Sequence, residues 1–229
     1  MPAMIRRIAL LPLAALIAGA AFAQAPAAPV TPAAPTAAPQ PAATVQVTLT
    51  TSEGPIILAL EKDKAPLTTA NFLHYVDTRR FDGTDFYRTV KVADGFGLVQ
   101  GGIGQDPKKA FPPIKHEPTT QTGLSHVDGA ISMAMNAPNT AQGDFFIMVG
   151  ASPSMDATAT EPGYAVFGRV VQGMDIARRI LDAATDPNKG KANGMAGQMI
   201  AAPIKILSAR RTSTPIAPPA PAPAPTPAS

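Results

Sequence analysis

Between Thr44 and Thr50 the chain alternates, with Val45, Val47 and Leu49 set against Gln46, Thr48 and Thr50. A period of two predicts a half-buried strand. Ser52-Glu53-Gly54 reads as a hairpin turn, and the apolar run Ile56–Leu60 as the returning strand. The period then changes. Phe72, Leu73 and Val76 recur at helical spacing behind Pro66, a residue suited to open a helix because the first turn does not use its missing N–H. A helix is therefore predicted from Pro66 to about Thr78. Beyond it, Asp85–Val90, Leu98–Gln100, Ala130–Met135, Asp144–Val149, Ala165–Val170 and Ile204–Ala209 read as strands. Gly101-Gly102 is expected to break the strand it follows, and Pro107–Pro118 to be a loop. Asp175–Leu181, behind Gly173, reads as a second helix. Many strands, two helices and no strand–helix–strand rhythm predict a mainly β domain, an antiparallel barrel capped by helices.

Outside residues 44–212 that pattern is lost. Residues 24–43 and 213–229 are rich in Ala and Pro, bury little, and are expected to be extended, disordered spacers. Residues 1–23 combine Arg6 and Arg7, an apolar run from Ile8 to Ala18, and Ala21-Phe22-Ala23 as a small-x-small cleavage site. They read as a secretory signal peptide, with an uncleaved anchor as the alternative. The run is shorter than the roughly 20 residues of a membrane span, so no stable insertion is expected after cleavage. There is no cysteine. Disulfides and a lipid-modified cysteine are thereby excluded, and the core alone must hold an exported domain.

The formal charge of +3 is spread along the chain, without a basic face interleaved with aromatics, so no nucleic-acid partner is expected. Ser125-His126-Val127-Asp128 holds the residue types of a hydrolytic triad, but consecutive positions cannot supply its geometry. His74, His116 and His126 show no metal-ligand spacing, and Gly95-Phe96-Gly97 does not continue as a dinucleotide loop. Neither a metal nor a cofactor is expected.

The richest stretch is Gly129–Gly150, GAISMAMNAPNTAQGDFFIMVG, two apolar runs joined by a polar connector. It resembles the groove-lining segment of the cyclophilin family of peptidyl-prolyl isomerases, with Ser132, Met133, Ala134, Pro138, Asn139, Thr140, Phe145, Phe146 and Ile147 on the pattern and no gap. Three further pieces are similar to that family: Lys64-Ala65-Pro66 with Asn71-Phe72, Phe86-Tyr87-Arg88 followed by Gln100-Gly101-Gly102, and Tyr164–Gly168 with Gly173-Met174-Asp175. The last has the form of bacterial envelope members. The order of elements along residues 45–211 is also similar to that family's, and with these pieces it implies the closed, eight-stranded cyclophilin-like barrel capped by two helices.

The implied reaction is rotation about Xaa-Pro bonds. These bonds populate both isomers but exchange slowly across a barrier of about 18–20 kcal/mol. Rotation needs no nucleophile, only a site that binds the twisted amide better than the planar one. The resemblance gives the catalytic cation to Arg88, its positioning to Gln100 and the floor of a proline pocket to Phe146. It places Phe86, Tyr87, Leu98, Ala134, Met135, Asp144, Met155 and Tyr164 around the bound peptide, with the pocket phenylalanine falling on either Phe96 or Gly97. Several positions depart from the family. Tyr87 replaces a histidine, Asp144 a glutamine and Ser154 an aromatic, and Lys91–Gly95 lengthen the interval between Arg88 and Gln100. Asp144 is expected either to pair with Arg88 and hold it, or to compete with the substrate for it. The expected function is prolyl isomerisation of unfolded or extended proline-containing chains by a periplasmic monomer that assists the folding of secreted proteins. The alternatives are a non-catalytic or weakly active proline-peptide-binding chaperone module of the same fold, and a structural envelope protein defined by its tails.

Overall fold

A computed structural model describes residues 44–212. The signal, linker and tail expectations lie outside the described residues. Eight strands run as β1 (Thr44–Thr51), β2 (Gly54–Glu61), β3 (Thr84–Ala93), β4 (Phe96–Gly102), β5 (Ala130–Met133), β6 (Asp144–Val149), β7 (Val166–Gln172) and β8 (Met199–Arg211). They close an antiparallel barrel in the order β1-β2-β7-β5-β6-β4-β3-β8. The helices are α1 (Pro66–Asp77), a single turn α2 (Thr119–Thr122) that the sequence pattern does not show, and α3 (Met174–Leu181).

The apolar face of β1, Val47 and Leu49, lies wholly in the core. α1 contributes Phe72, Leu73 and Val76, as its stripe predicts, and adds Tyr75. Phe72 packs against Phe81, Phe145 and Phe167 at ring separations of 5.0, 5.4 and 5.2 Å. No side chain within α1 caps its first turn. The Glu117 carboxylate does so from 50 residues away, accepting the Leu67 and Thr68 N–H groups at 3.1 and 2.7 Å.

Three departures from the sequence reading shape the outer face. Gly101 and Gly102 continue β4 rather than break it. A Cβ on Gly101 would lie 2.9 Å from the Asp85 carbonyl oxygen, and one on Gly102 would lie 2.3 Å from that of Gly143. The glycines are present because neighbouring backbone passes too close for a side chain. Lys91–Gly95 extend the β3–β4 hairpin, which turns at Asp94-Gly95 with Gly95 at φ 65°. Finally, β8 starts earlier than expected. Its first half pairs with β3 and its second half with β1. Pro203 falls where the β3 pairing jumps from Ile204 to Met199, an irregular stretch that tolerates a missing N–H.

Candidate active site

The site begins with strand register. Arg88 on β3 is opposite Gln100 on β4, and Gln100 is opposite Phe146 on β6. Adjacent strands lie about 4.8 Å apart, so the register sets the three side chains in a row across the barrel wall. Alternation along β6 sends Phe145 into the barrel core and Phe146 outward. Outside the wall, Phe146 gathers a second apolar cluster with Leu98, Ala134, Met155 and Tyr164. A cavity of about 250 Å³ opens over this row, lined by Arg88, Leu98, Gln100, Ala134, Met135, Asp144, Phe146, Met155 and Tyr164 among others.

Arg88 is held from two sides. Its Nη1 donates to Gln100 Oε1 at 2.7 Å, while Nε and Nη2 both donate to Gln198 Oε1, at 2.8 and 2.5 Å. A guanidinium has five N–H groups, so these bonds leave two for the cavity. Burial pushes its pKa down from the ordinary arginine value, yet the group stays charged at any working pH.

Phe86, Tyr87 and Phe96 sit elsewhere than the sequence reading placed them. Phe86 is fully buried inside the barrel, its ring edge-on to Phe145 at 5.8 Å. Tyr87 is the extra residue of a bulge between Phe86 and Arg88 and lies behind Gln100, facing a second depression with Thr84 and Asp85. Phe96 packs on Gly150, where an added Cβ would lie 2.6 Å from its ring, and does not reach the cavity. Gly97 is pressed against β3, its would-be Cβ 2.1 Å from the Val90 carbonyl oxygen. The bulge at Lys91–Ala93 turns the hairpin tip away, and Val90 and Leu98 form the wall that a phenylalanine was expected to supply.

Asp144 lines the cavity but does neither of the things expected of it. Its oxygens accept the Gly104 and Gln105 N–H groups at 2.7 and 3.0 Å, and it is hydrogen-bonded to the Tyr87 hydroxyl. Burial raises its pKa despite those bonds. The Tyr87 hydroxyl, raised by burial and by the Asp144 charge, keeps its proton and accepts Gln100 Nε2–H at 2.8 Å. The Gln100 amide is thereby oriented: its NH₂ points to Tyr87, so its oxygen must point to Arg88.

Gln198 and Met195 carry no signal in the sequence. They lie in a glycine-rich connection before β8 and reach the site because Met199 pairs with Arg88 and Thr89 N–H donates to the Gln198 carbonyl at 2.9 Å. Chemically, the arrangement offers a fixed cation with spare donors beside an aromatic-floored apolar pocket.

Comparison with known proteins agrees with this geometry. Residues 46–210 match the family model of cyclophilin type peptidyl-prolyl cis-trans isomerases. The chain is 39% identical over 146 residues to peptidyl-prolyl cis-trans isomerase A of Dickeya dadantii, covering 62% of this chain and 74% of that protein. It is 34% identical over 170 residues to a peptidyl-prolyl cis-trans isomerase of Acinetobacter baylyi, covering 72% and 85%. The crystal structure of a cyclophilin type isomerase of Cryptosporidium parvum superposes with a TM-score of 0.58 at 22% identity, over 76% of this chain and all of that one, and shares the fold. From its barrel, its groove and this family match, the chain belongs to the cyclophilin-type peptidyl-prolyl cis-trans isomerases.

Proposed function

We propose that this isomerase seats the proline of an extended Xaa-Pro segment on Phe146, between Leu98, Met155 and Tyr164, and lowers the rotation barrier with Arg88. A flat ring suits the face of a pyrrolidine. As the amide twists it loses resonance, its nitrogen becomes basic and its carbonyl more ketone-like. The two Arg88 N–H groups not bonded to glutamine are placed to stabilise that polarised state in a partly dry cleft. The observation that carries the reading is the row Arg88–Gln100–Phe146 under one cavity, with the guanidinium fixed by three hydrogen bonds. A module that only bound proline would need the pocket but not a cation fixed in this way. A cyclophilin type structure of Cryptosporidium parvum was determined in the presence of the dipeptide Ala-Pro, which supports Xaa-Pro segments as ligands.

The setting we propose is the periplasm, with the protein acting as a monomer on exported, unfolded clients. The support is the signal-like pattern of residues 1–23 and the Tyr164–Asp175 stretch, whose form is similar to bacterial envelope members. Fusion of residues 1–43 to a reporter active only outside the cytoplasm tests this, and a reporter that stays inactive overturns it. For the chemistry, exchange on an Ala-Pro peptide is measured by NMR. Arg88→Ala is expected to lower turnover far more than peptide affinity, and Arg88→Lys not to restore it because lysine lacks the fork. Equal turnover in wild type and Arg88→Ala overturns the assignment.

A further inference from the structure

The residue types around Ser125–Asp128 do form a cluster, but with partners from other elements. His126 is fully buried. Its Nδ1 lies 2.5 Å from Asp156 Oδ1, and its Nε2 lies 3.2 Å from Ser132 Oγ. The same carboxylate oxygen accepts the His126 backbone N–H at 2.9 Å, and the Ser125 hydroxyl donates to the other oxygen. Burial works to raise the Asp156 pKa, but the bonds from Ser125 and His126 outweigh it and hold the carboxyl below its ordinary value. An ionised Asp156 fixes the ring. Nδ1 carries the proton and donates, and Nε2 accepts from Ser132. The order carboxylate, imidazole, hydroxyl is that of a hydrolytic relay, yet Ser132 is fully buried and meets no substrate.

The surroundings of the ring suggest a different use. The imidazole lies parallel to the Phe146 ring, 5.9 Å and 10° away, and edge-on to Tyr164 at 6.5 Å. Phe146 and Tyr164 meet each other edge-on at 5.4 Å. Asp156 directly follows Met155, whose carbonyl accepts the Tyr164 N–H at 3.1 Å. One buried imidazole therefore backs the pocket floor and, through Asp156, ties down the turn that carries two of its walls. Arg88, by contrast, is held by Gln100 and Gln198.

We propose that His126, oriented by Asp156, is a positioning residue that fixes the shape of the proline pocket and so sets affinity for Xaa-Pro segments, leaving the Arg88 step unchanged. This rests on the isomerase reading above.

The test uses the full chain and an Ala-Pro tetrapeptide. In wild type, NMR of the histidine rings is expected to show the His126 resonances shifting along the same saturation curve as peptide binding, while those of His74 stay still. His126→Phe keeps a ring against Phe146 but removes the ring N–H bond to Asp156, leaving only the backbone N–H and the Ser125 hydroxyl on that carboxylate, and Asp156→Asn removes the charge. Both are expected to weaken peptide binding by about tenfold, the scale of one lost buried hydrogen bond, with turnover at saturation within about threefold of wild type. Ser125→Ala is expected to move affinity the same way by less. A purely structural cluster would lower melting temperature without that split. The proposal is overturned by a His126 signal unmoved at saturating peptide, by folded variants with wild-type affinity, or by lost turnover at unchanged affinity. If the two larger variants do not fold, Ser125→Ala and the wild-type titration decide. A wild type that neither binds nor isomerises the peptide overturns the function and this proposal with it. An active wild type with unaffected variants overturns only this proposal.

Discussion

Gln198→Ala is the sharpest test of how the cation is held. Gln198 Oε1 accepts two of the three side-chain hydrogen bonds on the Arg88 guanidinium, at 2.8 and 2.5 Å, and Gln100 accepts the third. A hydrogen bond to a charged group contributes about 1.5–3 kcal/mol when its loss leaves the charge dry. Arg88 is half-buried, so water takes over part of what the substitution removes. The expected net loss is about 1.5–2.5 kcal/mol for the pair of bonds, not twice the single value. It falls on the transition state, because the planar ground state does not call on the cation. That range corresponds to a roughly 10- to 70-fold fall in turnover, with peptide affinity held within about threefold. Gln100→Ala removes one bond and is expected to cost less. The fold is expected to survive, since the link between β3 and this segment runs through the Gln198 carbonyl, which accepts the Thr89 N–H. NMR exchange on an Ala-Pro peptide gives turnover and affinity separately, and a melting curve checks folding. Folded Gln198→Ala within twofold of wild-type turnover would refute the argument, as would a loss confined to affinity.

Other expectations are smaller in scope. Phe96→Ala is expected to leave peptide affinity unchanged while Phe146→Ala weakens it at least tenfold, because only Phe146 lines the cavity; equal effects in a binding titration would contradict the placement of Phe96. Gly102→Ala is expected to lower the melting temperature by several degrees, since its Cβ would lie 2.3 Å from the Gly143 oxygen and its φ is +126°; an unchanged melt would contradict the close approach. The Asp82 pKa is lowered chiefly by its hydrogen bonds from Arg210. A carboxylate lowered in the folded state adds stability above its unfolded pKa, near 3.9, and loses it as pH falls through the folded value. Asp82→Asn is therefore expected to flatten the fall in stability below about pH 4, and an unaltered acid profile in denaturant titrations would count against the pair.

Much of the fold was legible because its strands announce themselves locally. β1, β2, β6 and the stripe of α1 follow from the period of apolar residues, and alternation alone separates Phe145 from Phe146. The site was legible where it rests on short motifs in register, as with Arg88, Gln100, Leu98, Met155 and Tyr164 around the cavity. It was not legible where one extra residue changes a direction. The bulge at Tyr87 and the irregularity at Lys91–Ala93 decide that Tyr87 and Phe96 leave the groove, and no propensity marks either.

Sequence by itself determined the element types and the motifs of the family resemblance, which in turn implied roles for Arg88, Gln100 and Phe146. These are short-range properties, in which period, turn residues and motif spacing act within a few residues. Only the tertiary structure decided the second glutamine, the partner of Asp144, the cap on α1 from Glu117 and the meeting of His126 with Asp156. Each joins residues 30 to 110 positions apart. Such pairs exist because closing the barrel brings β8 beside β3 and folds the turn at Met155 onto the outer wall. The same residue types would carry no such meaning in an open chain.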